Sequence, residues 1–84
     1  MRSCFITFRS VTFAQRGDHL LHRAGISCTL QRTPRWMEEQ GCGYSLLIRS
    51  ADLSGAVELL REKQVPFRKV YQKNDNGSVE EMVL

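Results

Sequence analysis

The sequence has no long hydrophobic run. Its longest apolar clusters are Leu46-Leu47-Ile48 and Leu59-Leu60, far short of the ~20 residues that span a bilayer. The opening stretch through Phe8 is too short for the apolar region of a secretory signal, and no small-residue cleavage site follows. A cytoplasmic protein without membrane association is therefore expected. Cysteine is scarce: there are three, an odd number, and none form a CxxC pair. That excludes a secreted disulfide scaffold, and in a reducing compartment the default is free thiols. The glycines are scattered and none precedes a GK[ST] signature, so a phosphate-cradling loop is absent. Low-complexity tracts and internal repeats are absent too.

With 84 residues, the chain has room for one domain. A domain of this size buries only about 60% of its unfolded surface. Its 42% hydrophobic and 25% charged residues are ordinary for a globular protein. The net charge of +3 is unevenly placed. Residues 1–35 hold six arginines (Arg2, Arg9, Arg16, Arg23, Arg32, Arg35) against one aspartate, while residues 36–84 hold six basic and eight acidic side chains. A basic half raises nucleic acid as a partner. The arginines are widely spaced, however, with no run and no aromatic stripe beside them. A solvated basic face is the preferred reading, and no nucleic-acid partner is expected.

Periodicity places the elements. Residues 3–8 alternate β-prone side chains and read as a strand. Ser10 and Thr12 offer capping hydroxyls. Ala14, Gly17, Leu21 and Ala24 then fall at helical spacing, and their small members let the helix approach a sheet. Gly25 suits a helix end. Residues 26–32 and 44–49 read as strands, separated by a loop over 33–43. Asp52 precedes a second helix with the stripe Leu53, Ala56, Val57, Leu60. Residues 67–72 read as a fourth strand after Pro66, and Asn74-Asp75-Asn76-Gly77-Ser78 is turn chemistry. The order βαββαβ predicts an α+β, ferredoxin-like two-layer sandwich: a four-stranded antiparallel sheet with both helices on one face. Right-handed crossovers set strand order 4-1-3-2. The domain is expected to span residues 1–72, leaving 73–84 as a tail that is disordered or a weak extra element.

The most informative tripeptide is Gly41-Cys42-Gly43. Flanking glycines remove side-chain bulk and permit positive φ, so backbone and thiol can be approached closely. In the expected topology the start of the third strand lies beside the end of the first. Cys42 and Gly43 should then sit near Arg9, Ser10 and Thr12, where the first helix begins. Helix N-termini and cations, here Arg9 or Arg35, favour the reactive thiolate. Glu38 and Glu39 act the other way. From the residues alone, a reactive Cys42 and a cysteine in a tight glycine turn both stand.

The remaining chemistry-bearing residues read as structural. Cys4 and Cys28 lie within strands, where free cysteine behaves as a small hydrophobe. His19 and His22 form an HxxH pair, but two ligands do not make a tetrahedral site, so no metal and no cofactor are expected. Trp36 either packs on its own loop or meets a partner.

Phe8, Ser10, Ala14, Ala24-Gly25-Ile26, Leu30, Thr33-Pro34-Arg35 and Cys42-Gly43 ahead of a hydrophobic strand together resemble a family of small bacterial proteins described as selenium/sulfur carrier-like. The resemblance covers roughly residues 4–72. It implies a carrier more than a true catalyst, with Cys42 as the functional residue. Arg9, Ser10, Thr12, Arg35, Gly41 and Gly43 are its expected binding surroundings. Cys42 would hold a persulfide or selenosulfide passed between donor and acceptor proteins. The alternative is a non-catalytic ferredoxin-like binding or regulatory module in which Cys42 is dispensable.

Overall fold

A computed structural model describes residues 2–32 and 43–82 of the chain. The elements are β1 (Ser3–Thr7), α1 (Val11–Arg23), β2 (Cys28–Arg32), β3 (Tyr44–Arg49), α2 (Leu53–Glu62), β4 (Val70–Lys73) and β5 (Val79–Met82). A short 3-10 turn over Ser50–Asp52 leads into α2. The five strands form one sheet in the order β2-β3-β1-β4-β5, and every pairing is antiparallel.

The sheet therefore differs from the four-stranded one expected by an added edge strand. The tail expected over 73–84 is either disordered or a weak extra element. Residues Val79–Met82 form the latter, folded back along β4 by the Asn74–Ser78 turn. In that turn the Asn74 N–H donates to the Ser78 carbonyl over 2.8 Å, and Gly77 takes φ 88°.

One core fills the space between the sheet and both helices. Cys4, Ile6 and Phe8 of the first strand segment, Leu46 and Ile48 of β3 and Val70 of β4 point into it. Ala14 and Leu21 of α1 meet them, as do Leu53, Ala56, Val57 and Leu60 of α2. Alternation along the strands sends the intervening residues to the opposite face. There Phe5 and Tyr71 form a second buried cluster with Leu47 and Val79. β5 thus stabilises the sheet by covering apolar area as well as by its ladder.

Two strand boundaries lie later than the sequence suggests, and hydrogen bonds explain both. α1 ends with Gly25 at φ 83°, its N–H donating to the His22 carbonyl, while the Ile26 N–H donates to that of Leu21. This Schellman pattern absorbs Ile26 into the helix end, so β2 begins at Cys28. β4 begins at Val70 because Arg68 and Lys69 both oppose Thr7. The Arg68 N–H donates to the Thr7 carbonyl (2.7 Å), and the Thr7 N–H donates to the Lys69 carbonyl (2.9 Å). Two residues opposite one make a β-bulge. The displaced Lys69 N–H is taken up by the Thr7 hydroxyl at 3.1 Å.

Candidate functional site at one end of the sheet

The antiparallel pair Thr7–Ser45 sets the head of β3 beside the end of β1. From Thr7 the chain runs through Phe8 and Arg9 into α1. Ser10 is its N-cap: an extended residue (φ −139°, ψ 154°) whose hydroxyl accepts the Phe13 N–H at 3.2 Å. Thr12 lies in the first turn, exposed like Arg9. Gly43, just before β3, is buried and takes φ 81°. That value lies in the left-handed region, which a residue with a Cβ resists. The glycine at this position thus has a conformational reason. Cys42, Arg35, Gly41 and Trp36 lie outside the described residues, as do Glu38 and Glu39.

The topology also gathers charge that looks dispersed in the sequence. Arg9 follows β1, Arg32 ends β2 and Arg68 precedes β4, and all three belong to the same end of the sheet. Arg32 is directed by a cross-strand partner: its guanidinium lies 5.5 Å from the centroid of the Tyr44 ring. The sequence points to Arg9 and Arg35 as the cations near the cysteine and gives no local signal for Arg32. The pairing of Arg32 with Tyr44 across a hairpin stem was the available signal. Ser45 is fully buried at this end, and its hydroxyl has no hydrogen-bond partner among the described residues.

The other two thiols occupy a different region. Cys4 and Cys28 both pair with Ile48, one from each side. Two strand spacings, roughly 9.5 Å, separate their backbones, beyond the Cα range of a disulfide. Five residues along β3, at about 3.3 Å each, separate that row from Gly43. Burial pushes the Cys4 thiol above its ordinary value of 9.0, partly offset by its hydrogen bond to the Ser50 hydroxyl (3.7 Å). Cys28 is pushed up to about 12, by burial first and then by the Asp18 carboxylate 3.3 Å away. Both thiols are held protonated at neutral pH, so neither is nucleophilic there.

His22 has company that its HxxH spacing did not suggest. Its Nδ1 lies 3.1 Å from Asp18 Oδ1 and 4.0 Å from Cys28 Sγ. His19 faces away, toward a groove between the helices lined by Arg16, Leu59 and Lys63.

The described elements define a small α+β domain, a five-stranded antiparallel sheet with two helices. The model of the family described as "Putative Se/S carrier protein-like" matches residues 3–72, and the chain belongs to that family. The match runs from β1 almost to the end of β4 and stops before β5. Searches of the curated proteins and of the solved structures found no match. No helix among the described residues is long and apolar enough to cross a membrane.

Proposed function

We propose that the protein carries a sulfur or selenium atom on Cys42, between a donor and an acceptor protein in a reducing cytoplasm. The observation that carries this reading is the family match over residues 3–72, which encloses the Gly41-Cys42-Gly43 segment. We read the framework as a ferredoxin-like sandwich, βαββαβ, extended by the edge strand β5.

The chemistry is a thiol exchange. The Cys42 thiolate attacks the outer sulfur of a donor persulfide. The S–S bond of the donor breaks, its inner sulfur leaves as a thiolate, and Cys42 becomes the persulfide. Delivery repeats the exchange with the acceptor's thiolate, and Cys42 is regenerated. Selenium follows the same course as a selenosulfide.

Each step needs an ionised, accessible sulfur. The positive end of α1 and the cations Arg9 and Arg32 favour that form, with Arg35 adding to them. Gly41 and Gly43 keep the approach open, while Ser10 and Thr12 offer hydroxyls beside it. A carrier must also avoid discharging its cargo onto its own thiols. The Cys4 and Cys28 row, protonated and about five residues along the strand from Gly43, meets that need.

The test is intact mass after incubation with a cysteine desulfurase and cysteine. Addition of one sulfur, reversed by reductant and lost in Cys42→Ser, supports the carrier. A Cys42→Ser variant that keeps the protein's cellular role points instead to a binding module.

A further inference from the structure

We propose that Asp18, His22 and Cys28 form a binding site for a zinc-class divalent cation, with its fourth position open to water or an external ligand. The proposal does not use Cys42 and does not depend on the carrier reading.

The three donor atoms converge on one point. Cys28 Sγ is 3.3 Å from Asp18 Oδ1, Asp18 Oδ1 is 3.1 Å from His22 Nδ1, and Nδ1 is 4.0 Å from Sγ. A tetrahedral zinc with bonds of about 2.3 Å to sulfur and 2.0–2.1 Å to nitrogen and oxygen has ligand–ligand edges of roughly 3.4–3.6 Å. Movements of a few tenths of an ångström close the difference. The Asp18 carbonyl oxygen lies nearby, 3.0 Å from Nδ1 and 3.9 Å from Sγ, and is not counted among the three ligands.

A hydrolase-like triad does not fit these contacts. A relay needs the imidazole between thiol and carboxylate, using one ring nitrogen for each. Here both partners approach the same nitrogen, Nδ1, and the sulfur lies closer to the carboxylate oxygen (3.3 Å) than to the ring (4.0 Å). Convergence on one point is what a cation requires.

The donor set also balances charge. Thiolate and carboxylate bring two negative charges and neutral imidazole none, so a divalent ion is neutralised. Binding displaces the thiol proton and moves the ring proton to Nε2. The sulfur and imidazole ligands favour zinc or cobalt over magnesium or calcium. The scaffold is firm: Asp18 and His22 stand one turn apart on α1, and Cys28 opens β2 after the Schellman turn. Entry is open, because the side chains of His22 and Asp18 are 53% and 20% exposed while Cys28 forms the buried floor.

The reduced full-length protein is titrated with Co²⁺. The expected result is a near-ultraviolet thiolate-to-cobalt charge-transfer band with tetrahedral visible bands, saturating at one ion and bleached by Zn²⁺. Cys28→Ala should abolish the charge-transfer band. His22→Gln, at an exposed position that leaves the core intact, should weaken Co²⁺ binding about tenfold or more, since even outer-shell losses cost that much. Cys42→Ser should retain the full spectrum. The proposal is overturned if no charge-transfer band appears. It is equally overturned if the band survives Cys28→Ala, or if His22→Gln binds Co²⁺ as tightly as wild type.

Discussion

The Arg32 guanidinium lies 5.5 Å from the centroid of the Tyr44 ring, across the last rung of the β2–β3 ladder. Such a contact contributes about 0.5–1 kcal/mol. Its larger consequence is placement, because it holds a positive charge at the stem of the segment bearing Cys42. Replacing Arg32 with Gln should slow alkylation of Cys42 at neutral pH about two- to fivefold, by raising the thiol's pKa. Arg32→Lys should recover most of the rate. Rates measured against pH with peptide mapping check this, and a rate unchanged in Arg32→Gln removes Arg32 from the account.

At Gly17, α1 packs closely against its neighbours. A Cβ built there would meet Phe8 Cζ at 3.1 Å, Leu46 Cδ1 at 3.2 Å and Leu60 Cδ2 at 3.4 Å. Alanine gains about 1 kcal/mol in helix propensity, but overpacking costs about 1–3 kcal/mol. The contacts come from three elements at once, so the loss wins. Gly17→Ala should unfold at lower denaturant concentration, and Gly17→Val lower still. An alanine variant more stable than wild type would show that the core yields freely here.

Cys4 supplies a pH dependence with a definite sign. Burial favours its protonated form, and the folded pKa lies above the ordinary 9.0. The stabilisation this gives is fully present below about pH 9 and is lost as pH rises through the higher folded value. The stability advantage of wild type over Cys4→Ala should therefore be flat from pH 6 to 8 and shrink above pH 9. Denaturant unfolding of both proteins across that range measures it. An advantage that grows with pH would reverse the assignment.

β5 lies beyond the family match and covers Phe5 and Tyr71 with Val79. A chain ending at Ser78 exposes that cluster and the edge of β4. It should lose about 1–3 kcal/mol of stability and gain a tendency to associate through the freed edge. Unfolding curves and sedimentation of the two lengths test this. Unchanged stability and mass would make β5 incidental.

Much of the fold was legible because the patterns are local. Ser10, Gly25 and the stripe Leu53, Ala56, Val57, Leu60 announce their helices by capping chemistry and period. What escaped depends on contacts between distant residues. The β4 start moved because of a bulge opposite Thr7. Residues 79–82 carry a weak strand pattern and became a strand by covering Phe5 and Tyr71. The residues around the candidate site divide in the same way. Gly43 shows its reason in its own φ, whereas Arg32 beside Tyr44 and Cys28 beside Asp18 and His22 meet only through strand pairing and the α1–β2 turn. The HxxH spacing drew attention to His19 and His22 alike, but among the described residues only His22 has a sulfur neighbour.

Cys42 is proposed to be the one thiol that takes up transferable sulfur. Intact-mass analysis of the wild type and the three single Cys→Ser variants, after incubation with a cysteine desulfurase and cysteine, tests it most directly. One reductant-reversible sulfur is expected on wild type, Cys4→Ser and Cys28→Ser, and none on Cys42→Ser. Equal loading of all three variants would contradict it.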